Sequence, residues 1–225
     1  MSLVEAVVVP SPPLLVPEIA GGSAPADAGL RSAVRSAVAE LLAGAGHVVV
    51  VGAAAATGPV DGSWDWRPFG VARRGPGEGP LPLALAMGAW LLDDLDPGRG
   101  RDLFGVATSE EPESCARLGA ELVRDRDVRL LVVGDGTARR SEAAPGHLDP
   151  RAAAYDGQAE QALADADPGH LLGLSAGLGR ELLAAGRAPW QVLAGAAAGQ
   201  RFHGDVRWSG APYGVAYLVV RWTAA

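Results

Sequence analysis

The sequence predicts an α/β fold in which helices cover both faces of a central sheet. Three short runs of mostly apolar, β-branched residues, at Leu3–Val9, 47–51 and Val128–Val133, are typical of strands buried inside a sheet. Segments with apolar residues at helical spacing separate these runs, and such alternation is typical of α/β proteins. Neither a linker nor an internal repeat divides the chain, so we expect a single domain over residues 1–225.

Each predicted element ends at residues that interrupt regular structure. A proline-rich loop at 10–17 follows the first strand, and two glycines, at 44 and 46, end an amphipathic helix over 30–42. The same periodicities predict helices at 81–95 and 112–124 and around 150–166, 178–186 and 189–198, and strands at 103–107 and 213–222.

Residues 52–80 show little regular pattern and are rich in glycine and proline. A loop of this length inside a compact domain is usually functional or mobile. Trp64, Trp66 and Phe69 lie in it, and we expect residues 64–69 to line a pocket, form a lid or contact a partner.

The charge balance argues against nucleic acid as a partner. Among 225 residues, 26 acidic side chains outnumber 19 basic ones, for a formal net charge of −7, whereas nucleic-acid binders carry a basic surface. All the basic residues are arginine, which excludes lysine Schiff-base chemistry and a lysine-containing phosphate loop.

A single cysteine, Cys115, excludes an internal disulfide and a cysteine zinc cluster. It lies on the apolar side of a predicted helix, where a buried thiol is the favoured interpretation over a nucleophile. We expect a cytoplasmic protein, because no apolar run approaches a membrane span and no signal peptide is visible. A membrane partner is therefore not predicted.

The four histidines show no local metal-ligand spacing. We expect His47, at the start of a strand, to be structural, and His170, in a helix-starting turn, to be exposed. His147 and His203 form a joint site only if the fold brings them together.

The loop after the strand Val128–Val133 begins Gly-Asp-Gly-Thr, at residues 134–137. Its spacing matches neither the dinucleotide fingerprint nor the Walker loop. Arg139 and Arg140 follow, and two interpretations stay open for them. They clamp an anionic ligand, or they pair with acidic neighbours.

Three segments carry a resemblance to a known family. VVVPSPPLLVPE follows the first strand, VVGDGTARRSEAAPGHLDPRAAAYD follows the middle strand, and APYGVAYLVV forms the last strand. Together they resemble the class III extradiol ring-cleavage dioxygenases of the subunit-B (LigB-type) superfamily, which includes the Memo-like proteins, and in particular its small uncharacterised bacterial members. The resemblance implies a three-layer α/β fold with a mixed central sheet. It also implies a site with non-haem Fe(II) held by two His and one Glu, and a further His as acid/base.

The residues at the corresponding positions depart from that pattern. Ser11 stands at the first ligand His and Ala138 at the acid/base His, while residues 52–69 lack a His and 208–211 lack a carboxylate. The resemblance therefore implies a degenerate site without a cofactor. The polar groups left around the lost centre are the predicted ligand-binding residues: Ser11, Glu18, Asp135, Thr137, Arg139, Arg140 and Tyr213.

Three functional hypotheses follow. The first is a non-catalytic or metal-independent protein that binds a small anionic or aromatic molecule. The second is an active dioxygenase with a relocated Fe(II) site at His147 and His203, completed by Asp149 or Asp205. The third is a metal-free hydrolase or sensor that holds an anion on Arg139 and Arg140. The resemblance is also compatible with a homo-oligomer or a partner subunit.

Overall fold

Seven strands form one mixed sheet. The computed structural model describes residues 2–21 and 25–225. Its strands are β1 (Leu3–Val9), β2 (His47–Ala54), β3 (Gly58–Pro59), β4 (Arg101–Ala107), β5 (Val128–Val133), β6 (Phe202–Gly210) and β7 (Tyr217–Ala224). They lie in the order β3-β4-β2-β5-β1-β7-β6. β4, β2, β5 and β1 are parallel to one another, and β3, β7 and β6 are antiparallel to their neighbours.

Helices cover both faces of this sheet. They are α1 (Pro17–Ala20), α2 (Pro25–Ala43), α3 (Leu83–Leu95), α4 (Pro112–Leu122), α5 (Ala152–Ala164), α6 (Pro168–Leu172), α7 (Ala176–Glu181) and α8 (Arg187–Ala196). One hydrophobic cluster joins α2 and α3 to one face, and a second joins α4, α5 and α8 to the other. The three-layer α/β architecture is confirmed.

The burial of β5 explains its mainly apolar sequence, in which the one charged residue, Arg129, pairs with Glu5 on β1. All six residues are buried; Leu130 and Val132 contribute to the core under α8, whereas Leu131 and Val133 contribute to the core under α3. A strand covered on both faces has no solvent side, so polar and apolar residues do not alternate along it.

Two glycines allow α4 and α8 to pack closely. A Cβ at Gly119 would lie 2.0 Å from the carbonyl oxygen of Val192, and one at Gly195 would lie 2.1 Å from the carbonyl oxygen of Ala116. Only hydrogen fits at these positions, so the backbones of the two helices are in direct contact.

The sheet brings distant loops to one edge. Val9 pairs with Val133 in parallel register, so the loops that begin at Pro10 and Gly134 leave the sheet side by side. β7 runs antiparallel to β1 and begins at that same edge, at Tyr217. We call this the carboxyl edge; it is where ligand sites form in α/β sheets.

The predicted elements are present, most of them with shifted ends, and four elements were missed. The last strand begins at Tyr217 rather than at residue 213, and the helix expected at 178–186 ends at Glu181. The edge strands β3 and β6 and the short helices α1 and α6 were not predicted. Over residues 2–21 and 25–225, none of the helices has both the length and the apolar composition of a membrane span.

The prediction for residues 64–69 was wrong for Trp66, whereas Trp64, although mostly buried, lines surface pockets beside Arg74. Trp66 is fully buried and Trp64 nearly so, and the Trp66 ring lies 5.8 Å from that of Trp64 and 6.2 Å from that of Trp90. The indole N–H of Trp64 donates to Asp93 at 2.8 Å. Both rings belong to the core, and Phe69 is the exposed aromatic residue of the segment.

Candidate functional site at the carboxyl edge

Ser11 and Asp135 connect the loops after β1 and β5. The backbone N–H of Ser11 donates to one carboxylate oxygen of Asp135 at 2.7 Å, and its hydroxyl donates to the other at 3.0 Å. Loss of hydration raises the pKa of Asp135 to about 6, although both hydrogen bonds lower it. Ser11, at the position of an expected ligand His, therefore serves to hold this carboxylate.

A second carboxylate is held in the same manner deeper in the fold. Asp156, on α5, accepts the backbone N–H of Thr137 at 2.8 Å and its hydroxyl at 2.7 Å, and it also accepts from the guanidinium of Arg140 at 3.0 Å. Burial raises the pKa of Asp156, while these donors act in the opposite direction. The contacts fix the loop after β5 to the helix above it.

Backbone hydrogen bonds attach this loop to the segment before β7. Gly136 donates to the carbonyl of Ala216 at 2.8 Å, and Ala216 donates back to Thr137 at 2.9 Å. Arg140 donates to the carbonyl of Gly214 at 2.9 Å. The loop after β5 and the residues that lead into β7 are therefore in contact at the carboxyl edge. Both belong to the segments that carry the family resemblance.

Arg139 and Arg140 do not form an unpaired anion clamp. A guanidinium nitrogen of Arg139 lies 3.7 Å from the carboxylate of Asp149, and Arg140 pairs with Asp156. Of the two interpretations, the structure supports pairing with acidic neighbours. Both charges are compensated within the chain.

Glu18 and Tyr213 lie at the periphery. Glu18, on α1, pairs with Arg73, whose guanidinium lies 5.8 Å from the centre of the Trp64 ring. Glu18 therefore links α1 to the segment at residues 64–75. Tyr213 is partly exposed in the turn before β7.

The structure places His147 and His203 at opposite ends of the sheet. His147 is exposed in the loop after β5, at the carboxyl edge. His203, on β6, pairs with Thr223, which in turn pairs with Glu5 near the start of β1. A relocated iron site that uses both imidazoles is contradicted by this geometry. The same register places Asp205 on β6, away from Asp149.

The other titratable side chains behave as expected from the sequence. His47 lies 2.9 Å from the carboxylate of Asp102, and His170 is exposed beside Asp167, which caps α6. Cys115 is fully buried, and burial raises the pKa of its thiol to about 11.

The residues at the carboxyl edge do not fit Fe(II). Ser11 is hydrogen-bonded to Asp135, and Ala138 offers no donor atom in its side chain. The Asp156 carboxylate is occupied by Thr137 and Arg140. Over residues 2–21 and 25–225, no three His, Cys, Asp or Glu side chains are grouped to hold a metal.

A cavity of about 300 Å³ opens at the same edge. We call it the α7–α8 cavity; its lining residues are Thr108, Gly179, Arg180, Leu183, Ala184 and Ala185. Thr108 follows β4, and the other residues belong to α7 and the turn into α8. Arg180 is exposed and has no ion-pair partner among the residues that the structure describes. The cavity therefore combines an apolar wall with one uncompensated positive charge.

Its rim carries backbone strain. Leu183 (φ +58°) and His147 (φ +56°) adopt left-handed conformations that residues with a Cβ rarely populate. The two strained turns are in contact, because a Cβ at Gly146 would lie 2.8 Å from Cδ1 of Leu183. The Leu183 side chain, 48% exposed, stands beside the opening. Strain of this kind concentrates at ligand sites.

A buried arginine next to the cavity holds the segment that supplies one of its lining residues. Arg187, at the start of α8, donates to the carbonyls of Thr108 and Glu110, both at 2.5 Å, and to the side chain of Gln191 at 2.9 Å. It thereby fixes the turn that brings Thr108 into the lining. Sequence reasoning missed both Arg180 and Arg187, because neither lies in a pattern that distinguishes it from a surface arginine.

Fold and site together define a class: a three-layer α/β protein with hydrogen-bonded carboxylates and a cavity at the carboxyl edge of a mixed sheet. Among solved structures the chain is similar to an uncharacterised protein of Escherichia coli K12, with a TM-score of 0.61 and 15% sequence identity, over 97% of this chain and 99% of that one. At this identity the likeness shows the fold alone. No protein-family model and no curated protein matches the chain.

Proposed function

We propose that this chain is a metal-independent protein that binds a small, mainly apolar carboxylate in the α7–α8 cavity. The observation that carries the proposal is the uncompensated guanidinium of Arg180 beside the apolar surfaces of Leu183 and Ala184. We place the protein in the cytoplasm, a prediction supported by the single unpaired thiol of Cys115.

The size and lining of the cavity favour one class of ligand. Small-molecule sites are largely apolar pockets of about 300–1,000 Å³ with a few polar groups that fix orientation. This cavity lies at the lower end of that range. The guanidinium of Arg180 matches a carboxylate with two parallel hydrogen bonds, and the hydroxyl of Thr108 offers one more polar contact.

The contacts next to the cavity favour a fixed scaffold rather than a redox centre. In the family that the sequence resembles, the loops after β1 and β5 supply imidazole. Here Ser11 and Thr137 instead hold the carboxylates of Asp135 and Asp156. Such bonds order the carboxyl edge, and a preformed site loses less conformational entropy when a ligand binds.

A thermal-shift screen tests the proposal. The panel contains aromatic and short aliphatic monocarboxylates, their neutral amides, and inorganic phosphate, each with chelator and with added Fe(II). Ligand at a hundredfold over its dissociation constant adds about 2.7 kcal/mol, which corresponds to roughly 5–11 °C for a chain of this size.

The expected result is a shift with at least one carboxylate, none with its amide, and no dependence on Fe(II). Arg180→Ala is expected to abolish the shift. Arg124→Ala, which removes an exposed arginine paired with Glu121, is the matched control and should preserve it. A panel without any shift, or a shift that Arg180→Ala leaves unchanged, would contradict the proposal.

A further inference from the structure

The edge strand β6 is open to a partner. Among the residues that the structure describes, it is the last strand of the sheet and pairs only with β7, so no described strand lies on the other side of its backbone. Most of its nine residues are exposed, including Val206, which at 37% is one of the exposed large apolar side chains of the described chain. Such an edge is a template for strand addition.

The sequence of β6 is complementary to itself in antiparallel register. When two copies pair around a twofold axis at Val206, Asp205 of each copy lies opposite Arg207 of the other. Val206 then meets Val206, and His203 faces Ser209. A twofold interface requires this reciprocity, in which each contact occurs twice.

The side chains already have the orientation that such a pair needs. The carboxylate of Asp205 lies 2.5 Å from the guanidinium of Arg207 in the same chain, so both project from one face of β6. Two such pairs across the axis form a square of alternating charges. Arg207 is also 3.1 Å from Glu40, on α2, which limits the positions that its guanidinium can adopt.

We infer that β6 is a self-association surface and that its occupant is a second copy of this chain, which continues the sheet across a twofold axis. Opposite charges directly across an antiparallel pair are favourable and like charges are unfavourable. A strand edge alone forms a small interface, so the dimer should depend on protein concentration. This inference is independent of the α7–α8 cavity.

Sedimentation velocity of the wild-type chain and of charge-reversed variants, at protein concentrations from nanomolar to near-millimolar, tests the inference. The wild-type chain should dimerise as its concentration rises. Asp205→Arg and Arg207→Asp should each remain monomeric, because each places like charges across the axis. An equimolar mixture of the two variants should form a heterodimer, since Arg then faces Asp at both contacts.

Two controls carry matched changes of charge away from β6. Asp61→Arg and Arg124→Asp should dimerise like the wild-type chain, and circular dichroism should show that all variants are folded. The contrary outcome is that the charged side chains and the bulge between Val206 and Trp208 protect β6 from strand addition, in which case the chain stays monomeric. A monomer at every concentration, or a dimer that both reversals leave intact, would overturn the inference.

Discussion

Thr137 donates both its backbone N–H and its hydroxyl to the buried carboxylate of Asp156, at 2.8 Å and 2.7 Å. The pair joins the loop after β5 to α5, and through Arg140 it reaches the segment before β7. A carboxylate in this environment depends on its donors, because an unsatisfied buried charge is costly.

Removal of the Thr137 hydroxyl should therefore destabilise the protein. We expect Thr137→Val to lower the free energy of unfolding by about 1.5–3 kcal/mol, the usual contribution of a hydrogen bond to a charged group. Thr137→Ser keeps the hydroxyl and should lose less. Urea denaturation of the three proteins measures the difference, and equal losses for Val and Ser would show that the hydroxyl contributes nothing.

The pKa of Asp135 predicts a pH-dependent stability. Its value is about 6 in the folded state, above the ordinary value of 3.8, so the folded state binds the proton more tightly than the unfolded chain. The contribution of Asp135 to the free energy of unfolding is therefore lost as the pH rises from about 4 to about 6. Above about pH 6 this contribution no longer changes. The loss amounts to about 2–3 kcal/mol.

Asp135→Asn should remove this dependence, because the amide stays neutral and its carbonyl can still accept the N–H of Ser11. Denaturation of both proteins across the same pH range gives the difference between their free energies of unfolding. The pH dependence that other titratable groups cause is common to both proteins and cancels in this difference. We expect the variant to gain stability relative to wild type as the pH rises. Parallel pH profiles would argue against a raised pKa.

The contact between α4 and α8 should tolerate no side chain at Gly195. The Cβ of Gly195→Ala would lie 2.1 Å from the Ala116 carbonyl oxygen, so we expect a loss of about 1–3 kcal/mol or more. Gly157→Ala, on α5, is the matched control because its Cβ would meet nothing within 4 Å. It should stabilise by roughly 0.5–1 kcal/mol. Thermal unfolding that ranks the two variants the other way would contradict the packing described here.

Cys115 should report global unfolding. It is fully buried, and burial raises its thiol pKa to about 11, so the folded protein contains little thiolate at neutral pH. An aromatic disulfide reagent should react with it at the rate at which the protein opens, and denaturant should accelerate the reaction in proportion to unfolding. Rapid labelling of the folded protein would show that the thiol is accessible.

The sequence predicted those parts of the fold that depend on local pattern. The prediction for β5 matches the structure at both ends, because this strand, buried on both faces, is apolar at five of its six positions, Arg129 being the exception. β6 was missed because it has no apolar run; the signal that could have revealed it is the alternation of Phe202, Val206 and Trp208 with polar residues, which is typical of a strand with one exposed face. An exposed position was predicted for Trp64 and Trp66 because their segment has no regular pattern. In the structure this segment folds back on the core, where bridges pair Ser63 with Pro80 and Asp65 with Arg74.

The sequence predicted the location of the candidate site but only some of the residues and contacts that form it. Ser11, Asp135 and Thr137 were expected at the carboxyl edge and lie there, because parallel strands place their following loops together. Which carboxylate each residue contacts depends on α5 and on register, which the sequence does not reveal. Arg180 was missed, since only the fold shows that it has a cavity beside it and no acidic partner among the described residues.

The most direct test of the account is a calorimetric titration of the best carboxylate from the screen into the wild-type chain and into Arg180→Ala, each with chelator present. We expect binding to the wild-type chain at an affinity that Fe(II) does not change, and at least a tenfold weaker affinity for the variant. Such a loss corresponds to about 1.4 kcal/mol or more. Binding that requires Fe(II), or equal affinity for both proteins, would contradict a metal-independent carboxylate site at Arg180.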